Sequence, residues 1–458
     1  MSELAFTSLN LPDELLNSLK SLDYQQMTPV QSQVLPLALA GCDVIAQAKT
    51  GSGKTVSFGL VTLANLDTTQ YAPQSLLLCP TRELADQIAE VVRQLARTTP
   101  NVKVLTLTGG SSARNQISSL ERGAHIIVGT PGRVEDHLGR GTLKVDQINT
   151  LVLDEADRML QMGFLESIER IIEKLPQKRQ TLLLSATYPD EIKSITDKVM
   201  QSPRMVSVDT EHSTDHIQQH FYRIEKQQDR LLALQLLLLK FNPDNTLVFC
   251  NTKIAVAEVT NFLQQKGFAA IALHGDLEQK NRDQNLIRFT NRSATIMVAT
   301  DVAARGIDIE KLDVVVNYEL SKELEVHVHR SGRTGRAGET GVVWTLFDNT
   351  DKYRIEQLEK LLDTNIKPYT LPPEHVLKTQ PARPPTVTLE INAGKKQKLR
   401  PGDILGALTA DGGMDGSSVG KIKILSTRAF VAVERSMVAK SQECLRKIKG
   451  RSYRSRVL

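Results

Sequence analysis

The chain has 458 residues, 24% of them charged and 40% hydrophobic, with a net charge of +5. That length is too great for one hydrophobic core and calls for two or three domains. No apolar run approaches the roughly 20 residues of a membrane span, Met1-Ser2-Glu3-Leu4 lacks the basic and apolar regions of a secretory leader, and Cys42, Cys79, Cys250 and Cys444 are scattered, so a cytoplasmic protein with reduced thiols is expected.

A helical pattern opens the chain (Leu9, Leu11, Leu15, Leu16, Leu19). Next, Thr28-Pro29 gives an N-cap and a first-turn proline. Gln31, just inside that helix, has the paired donor and acceptor that can read adenine, although alone it would be a surface glutamine. The apolar Asp43-Val44-Ile45-Ala46 runs into Ala48-Lys49-Thr50-Gly51-Ser52-Gly53-Lys54-Thr55. This is the Walker A pattern with Ala48 in place of its first glycine. Strand, tight loop and helix start would aim backbone N–H groups from Ala48 to Gly53 at phosphate oxygens, with Lys54 on the β/γ-phosphates and the Thr55 hydroxyl on Mg²⁺.

Further strands follow, each ending in small, hydroxyl or basic residues: Ser75-Leu-Leu-Leu-Cys79 before Thr81-Arg82, Val102 to Leu107 before Thr108-Gly109-Gly110, and His125-Ile-Ile-Val128 before Gly129-Thr130-Pro131-Gly132-Arg133. In an open parallel sheet that edge is where ligands bind. These groups suit phosphodiester contacts, and they equally suit capping and turns. Thr150-Leu-Val-Leu153 then leads into Asp154-Glu155-Ala156-Asp157, the Walker B arrangement. Asp154 would hold Mg²⁺ and Glu155 would orient and deprotonate the attacking water. The strand Thr181-Leu-Leu-Leu184 ends at Ser185-Ala186-Thr187.

The alternation starts again with a helix over Arg230 to Lys240 and a strand over Thr246 to Phe249. A strand meeting His274-Gly275-Asp276 precedes Gln279 and Arg282, and Thr295-Ile-Met-Val298 precedes Thr300 and the Arg305-Gly306-Ile307-Asp308 stretch. This second α/β unit has no phosphate loop. It has an arginine-dense one, His329-Arg330-Ser331-Gly332-Arg333-Thr334-Gly335-Arg336, whose guanidinium groups would repel one another without an anion between them. A γ-phosphate and an RNA phosphate both qualify.

A proline-rich stretch reads as an extended linker. From Pro385 to Leu458 there are 15 Lys and Arg against 6 Asp and Glu, a net of +9, which leaves −4 on the preceding 384 residues. The tail reads β-α-β-β-α-β: Thr386 to Ile391, Pro401 to Leu408, Val419 to Leu425, Ala429 to Val433, a helix from Met437 to Ile448, and a basic terminal strand. That is the ferredoxin-like pattern of RNA-recognition modules. Phe430 is its one strand aromatic, so RNA contact is expected through Lys395, Lys396, Arg400, Lys421, Lys423 and Arg428 rather than by base stacking.

In order, Pro-Thr-Arg-Glu-Leu, Thr-Pro-Gly-Arg, Asp-Glu-Ala-Asp, Ser-Ala-Thr and His-Arg-x-Gly-Arg-x-Gly-Arg resemble the motifs of DEAD-box RNA helicases over roughly residues 4 to 350. The resemblance implies an α/β fold of two tandem RecA-like parallel-sheet domains (residues 1–209 and 216–366). A linker (367–384) and a small C-terminal α+β domain like an RNA-recognition motif (385–458) complete the chain. It implies ATP and Mg²⁺ as cofactors and RNA as partner. Phe6 and Gln31 would bind adenine, and Gly306 and Asp308 would lie at the nucleotide, Asp308 on its ribose. Arg333 and Arg336 would meet the γ-phosphate, and Ser185 and Thr187 would couple ATP state to RNA grip. The RNA backbone would lie on Arg82, Gly110, Thr130, Arg133, Gln279, Arg282 and Thr300. Asp23, His327 and Ser331 stand where the family usually has glycine, tyrosine and an aliphatic residue. The basic tail is similar to that of the bacterial members directed to a 23S rRNA hairpin in 50S subunit assembly. A general RNA chaperone or ATP-dependent clamp without rRNA preference is the alternative, and a DNA translocase is a third reading.

Overall fold

The computed structural model describes residues 4–48, 52–188, 190–208, 217–225, 229–304, 312–321, 323–335 and 340–458. The described residues fall into two compact units that divide near residue 212, with the basic tail in the second.

The first unit is built on a parallel sheet of β1 (Val44–Gln47), β2 (Ser75–Leu78), β3 (Val104–Leu107), β4 (Ile126–Gly129), β5 (Thr150–Asp154), β6 (Gln180–Ser185) and β7 (Arg204–Ser207), in the order β3-β4-β2-β5-β6-β1-β7. Its inner strands are mostly apolar because both faces are covered. Side chains alternate across the sheet. Val44, Ala46, Leu77, Val152 and Leu184 enter one core, while Ile45, Leu76, Leu78, Leu151, Leu153 and Leu183 enter the other.

Register decides which loops share an edge. Gln47 is level with Ser185 and Asp154 with Leu184, so the chain leaves β1, β5 and β6 side by side. Leu78, Gly129 and Leu107 are level too, which gathers the loops that follow β2, β4 and β3 at that same carboxyl edge.

The second unit carries β8 (Ile217–Arg223), β9 (Thr246–Cys250), β10 (Ala270–Leu273), β11 (Ile296–Thr300), β12 (Val314–Asn317) and β13 (Gly341–Phe347), all parallel, in the order β10-β11-β9-β12-β13-β8. The proline-rich stretch packs along this domain. Tyr369 N–H donates to Phe221 O at 2.7 Å, its ring lies 4.5 Å from that of His220, and Val376 is buried with Leu236 and Leu239. An extended segment that makes such contacts is a strap.

The tail forms an antiparallel sheet of β14 (Thr386–Ile391), β15 (Val419–Ile424), β16 (Ala429–Glu434) and β19 (Ser455–Val457), in the order β15-β16-β14-β19. A separate hairpin, β17 (Lys447–Ile448) with β18 (Arg451–Ser452), precedes the last strand. The helix expected to reach Ile448 ends at Cys444, because Lys449 and Gly450 take left-handed backbone and turn that hairpin.

Candidate nucleotide and RNA sites

The phosphate-loop residues Thr50 and Gly51 lie outside the described residues, as do Gly306, Asp308 and Arg336. Lys49 lies outside them too, and Ala48 and residues 52–55 are described. Ala48 leaves β1, and Gly53 takes φ +90° before the helix Lys54–Ala64. A Cβ at Gly53 would lie 2.6 Å from Gln31 Nε2, so only glycine fits both backbone and space. Lys54 is buried, and its ammonium donates to Ala48 O. Burial pulls its pKa down, opposed by the nearby Asp154 and Glu155.

Gln31 is spent in part on this loop. Its Oε1 accepts from Thr28 N at 2.8 Å and its Nε2 donates to Gly53 O at 3.1 Å. Thr28 Oγ1 donates to Ser52 O at 2.8 Å. The Thr28-Pro29-Val30-Gln31 stretch therefore braces the phosphate loop. Phe6 corrects an expectation. Its ring is 2% exposed, packed in the core with Leu11 and Leu15, and it offers no open face for stacking on a base.

Asp154 ends β5, buried, and its Oδ1 accepts from Glu155 N at 3.0 Å. Burial raises its pKa to about 7 against the pull of Lys54. Glu155 is held at φ +51°, a conformation that costs a non-glycine residue about 1 kcal/mol. Its Oε2 is buried 3.4 Å from Arg158 Nε without a hydrogen bond. Strain and an unsatisfied carboxylate oxygen at one residue mark a site arranged for chemistry. Asp157 links this acid pair to the Ser-Ala-Thr turn: its Oδ2 accepts from Thr187 N at 3.1 Å and Thr187 Oγ1 at 3.0 Å, and its N–H donates to Ser185 Oγ at 3.3 Å. Its place beside Asp154 was the signal that could have singled it out.

At the same sheet edge the capping and ligand readings separate. Thr81 Oγ1 accepts from Leu84 N at 3.2 Å, an N-cap. Thr130 stands at the N-cap of Pro131–Gly139 without a side-chain cap bond. Arg82 lies over the neighbouring turn, where a Cβ on Gly109 would come within 3.0 Å of its guanidinium, and Gly110 takes φ +75°. Arg133 Nη1 donates to Gln116 Oε1 at 3.0 Å.

In the second unit Gln279 opens a helix (Gln279–Thr290) with Arg282 one turn on, and Thr300 ends β11. The arginine loop needs a correction. Arg330 is buried, and its charge is met by Asp301: Nε and Nη2 each lie 2.7 Å from that carboxylate. Its other donors reach Asn251 Oδ1, Asn317 Oδ1 and Glu319 O. This first arginine is a structural tie and needs no phosphate. Arg333 is also buried. His327 accommodates its departure from tyrosine through Gln219 Oε1 at 3.0 Å and stacking on Phe221. Burial and Arg330 push its pKa down to about 3, so it stays neutral. Ser331 Oγ donates to His327 O at 2.9 Å, and Asp23 takes φ +60°, which is why glycine is usual there.

Comparison with known proteins agrees with this geometry. The DEAD/DEAH box helicase family matches residues 28–195 and the helicase conserved C-terminal domain matches residues 227–338. The chain is 47% identical to the ATP-dependent RNA helicase DbpA of Escherichia coli over 99% of both chains, and 36% identical to that of Bacillus subtilis over 93% of both. The chain belongs to the DEAD-box ATP-dependent RNA helicases. Among solved structures of that family, Saccharomyces cerevisiae Dbp5 bound to RNA and ADP BeF3 superposes with a TM-score of 0.73 at 30% identity, covering 80% of this chain and 95% of Dbp5.

This DEAD-box helicase also matches the DbpA RNA binding domain over residues 388–457. One face of the tail's sheet packs on its two helices through Val387, Leu389, Ile391, Ala429, Val431 and Val433. The opposite face, where RNA-recognition modules stack bases, is closed: Thr388, Glu390, Phe430 and Ala432 are all buried. Ser293 Oγ lies 2.6 Å from Thr388 Oγ1, Asn291 Nδ2 donates to Thr388 Oγ1 at 3.2 Å, and Thr386 Oγ1 donates to Asn291 O at 2.5 Å. Arg428 is therefore a correction. It donates to Glu390 Oε1 at 3.0 Å, and Arg456 holds the other carboxylate oxygen. Burial would raise the Glu390 pKa, but these two arginines pull it down. Lys395, Lys396, Arg400, Lys421 and Lys423 are exposed. So are Lys447, Lys449 and Arg451 of the β17–β18 hairpin, whose residues the sequence pattern divides between a helix and a strand. Among the described residues no helix is long and apolar enough to cross a membrane.

Proposed function

We propose that this helicase is directed by its tail to 23S rRNA and acts in assembly of the 50S ribosomal subunit. The observation that carries the reading is that the similarity to DbpA runs through the tail as well as the motor. A closed sheet face with exposed lysines on the turn after β14 and on the outer strand β15 supports backbone recognition in place of base stacking.

In the ATP site, Lys54 takes the β/γ-phosphates, Glu155 orients and deprotonates the attacking water, Gln31 reads adenine, and Arg333 and Arg336 stabilise charge on the transferring phosphoryl group. Mg²⁺ fits the donor set, because the buried Asp154 carboxylate and the Thr55 hydroxyl are hard oxygen donors. Thr55 and Asp154 would hold it, with phosphate oxygens and water completing its shell. Bound there, it would neutralise charge on the β- and γ-phosphates. Asp157 carries nucleotide state to Ser185 and Thr187. RNA backbone lies on Arg82, Gly110, Thr130, Arg133, Gln279, Arg282 and Thr300.

The test is steady-state ATPase activity with 23S rRNA, with an unrelated RNA of equal length, and with none, on the full chain and on a Lys395→Glu/Lys396→Glu variant. Selective stimulation by 23S rRNA, lost in the variant, is expected. Equal stimulation by both RNAs in both proteins would refute the ribosomal assignment and leave a general RNA chaperone or clamp.

A further inference from the structure

The helix Ala113–Glu121 buries one residue, and it is polar: Gln116, 6% exposed. A buried amide must find partners for its oxygen and nitrogen, and an apolar residue would fill the same space without that demand. Gln116 finds three. Its Nε2 donates to Thr108 O at 2.9 Å, directly before the Gly109-Gly110 turn. Its Oε1 faces Arg133 Nη1 at 3.0 Å and His137 Nε2 at 2.9 Å. The amide cannot be turned over, since its NH₂ would then face the arginine's N–H and its oxygen would face a carbonyl. With Oε1 as acceptor, His137 carries its proton on Nε2. Its Nδ1 sits 2.8 Å from the Thr142 hydroxyl, which also reaches His137 O at 3.1 Å. His137 is fully buried. Burial and the adjacent Arg133 both keep its pKa low, so the ring is a neutral strut.

We propose that Gln116 is a positioning residue that joins the Gly109-Gly110 turn and the Arg133 guanidinium into one RNA-gripping unit. The inference rests on the reading that Gly110 and Arg133 hold RNA backbone. An arginine pinned through one Nη keeps its remaining N–H groups aimed for a phosphate, so less side-chain freedom is lost when RNA arrives. Because the same amide holds Thr108 O, the spacing between turn and guanidinium is set before binding. Gln116 has no direct part in ATP chemistry, and its removal should act on RNA affinity.

The experiment uses the full chain with a single-stranded RNA oligonucleotide. RNA-stimulated ATPase is measured for wild type, Gln116→Met, Gln116→Glu, Arg133→Ala and the Gln116→Met/Arg133→Ala double variant, with melting temperature recorded for each. Met is unbranched and similar in volume, so folding should survive. Expected is a rise of about five- to tenfold in half-saturating RNA for Gln116→Met, the order of one ordinary net hydrogen bond, with kcat at saturating RNA and KM for ATP within about twofold. Gln116→Glu keeps the acceptor for Arg133 and His137 but loses the donor to Thr108 O, so it should leave the turn untied and recover only part of the RNA affinity. The double variant should be no weaker than Arg133→Ala, because Gln116 acts through Arg133. Multiplicative losses in the double variant, unchanged half-saturating RNA in Gln116→Met, or parallel falls in kcat, RNA affinity and melting temperature would each overturn the proposal. Unchanged half-saturating RNA in Arg133→Ala would instead refute the RNA-face reading and take the inference with it.

Discussion

Replacing Asp154 by asparagine should stabilise the nucleotide-free protein while abolishing turnover, and the gain should appear only as pH rises. Asp154 is buried and its pKa is raised from 3.8 to about 7. A carboxyl with a raised folded-state pKa contributes most below pH 3.8, where it is neutral in both states, and that contribution is lost as pH climbs to about 7. The interval corresponds to a ceiling of about 4 kcal/mol, and water entry and relaxation reduce it to about 1–2 kcal/mol. The amide introduced by Asp154→Asn would carry no charge and keep an oxygen for the Glu155 N–H, so it escapes that cost. At about 2–4 °C per kcal/mol for a unit of this size, the variant should melt about 2–8 °C above wild type at pH 8 and within about 1 °C of it at pH 4. Thermal melts of the full chain without nucleotide or divalent cation measure this. An equal difference at both pH values, or a wild type more stable at pH 8, would refute the reasoning.

Arg330→Lys should destabilise the second unit by about 3 kcal/mol or more, since a point charge cannot replace a fork shared among Asp301, Asn251, Asn317 and Glu319. A loss of ATPase at unchanged stability would show that Arg330 acts on substrate instead. Asp23→Gly should raise stability by up to about 1 kcal/mol by denaturant titration, because Asp23 takes φ +60° and its carboxylate meets only the exposed Gln25 amide at 2.9 Å among the described residues; a clear loss would mean that contact outweighs the strain. Glu155→Gln should cut kcat at least about 10²-fold with RNA affinity in the presence of ATP retained or tightened, and rapid turnover would remove Glu155 from the chemistry. In RNA binding by the full chain, Lys395→Gln and Lys396→Gln should each lower the salt-dependence slope by about 0.7–0.9, whereas Arg428→Gln should lower stability and leave the slope nearly unchanged.

Much of the motor was legible because its signals are local. A strand, a glycine loop and a helix start sit within a dozen residues around Gly53, and Asp154 follows its strand directly, so the phosphate loop and the acid pair could be named from spacing alone. Pairings made by tertiary structure were not legible. Arg330 and Asp301 are 29 residues apart, and nothing in the glycine-arginine loop says that one of its charges already has a carboxylate. Phe6 reads as an aromatic before a nucleotide motif, yet the first core takes its ring. Gln116 is silent in sequence because a single glutamine on a short helix has no periodic signature; its partners lie on a turn and on another helix. The hairpin after Cys444 was hidden by a helical pattern that Lys449 and Gly450 interrupt through backbone conformation.

The tail shows how composition overstates a binding surface. Its net charge of +9 suggests a uniformly basic module, but the structure divides that charge into two populations. Arg428 and Arg456 neutralise the buried Glu390, and Lys449 reaches Asp403 at 2.6 Å. These residues make contacts within the module, on the side that packs against the second parallel-sheet domain and at its terminal hairpin. Lys395, Lys396, Arg400, Lys421 and Lys423, the residues proposed to meet RNA, are exposed, on the turn after β14 and on the outer strand β15, where Lys423 lies opposite Phe430 at the rim of the closed sheet face. A ferredoxin-like sheet that has lost its stacking aromatics has a face free for another use, and here polar contacts from Thr386 and Thr388 to Asn291 and Ser293 take it. Those last two residues follow directly on the helix that begins with Gln279, the candidate RNA contact of the second unit. The module therefore packs against the end of that helix, which fixes its exposed loops relative to Gln279.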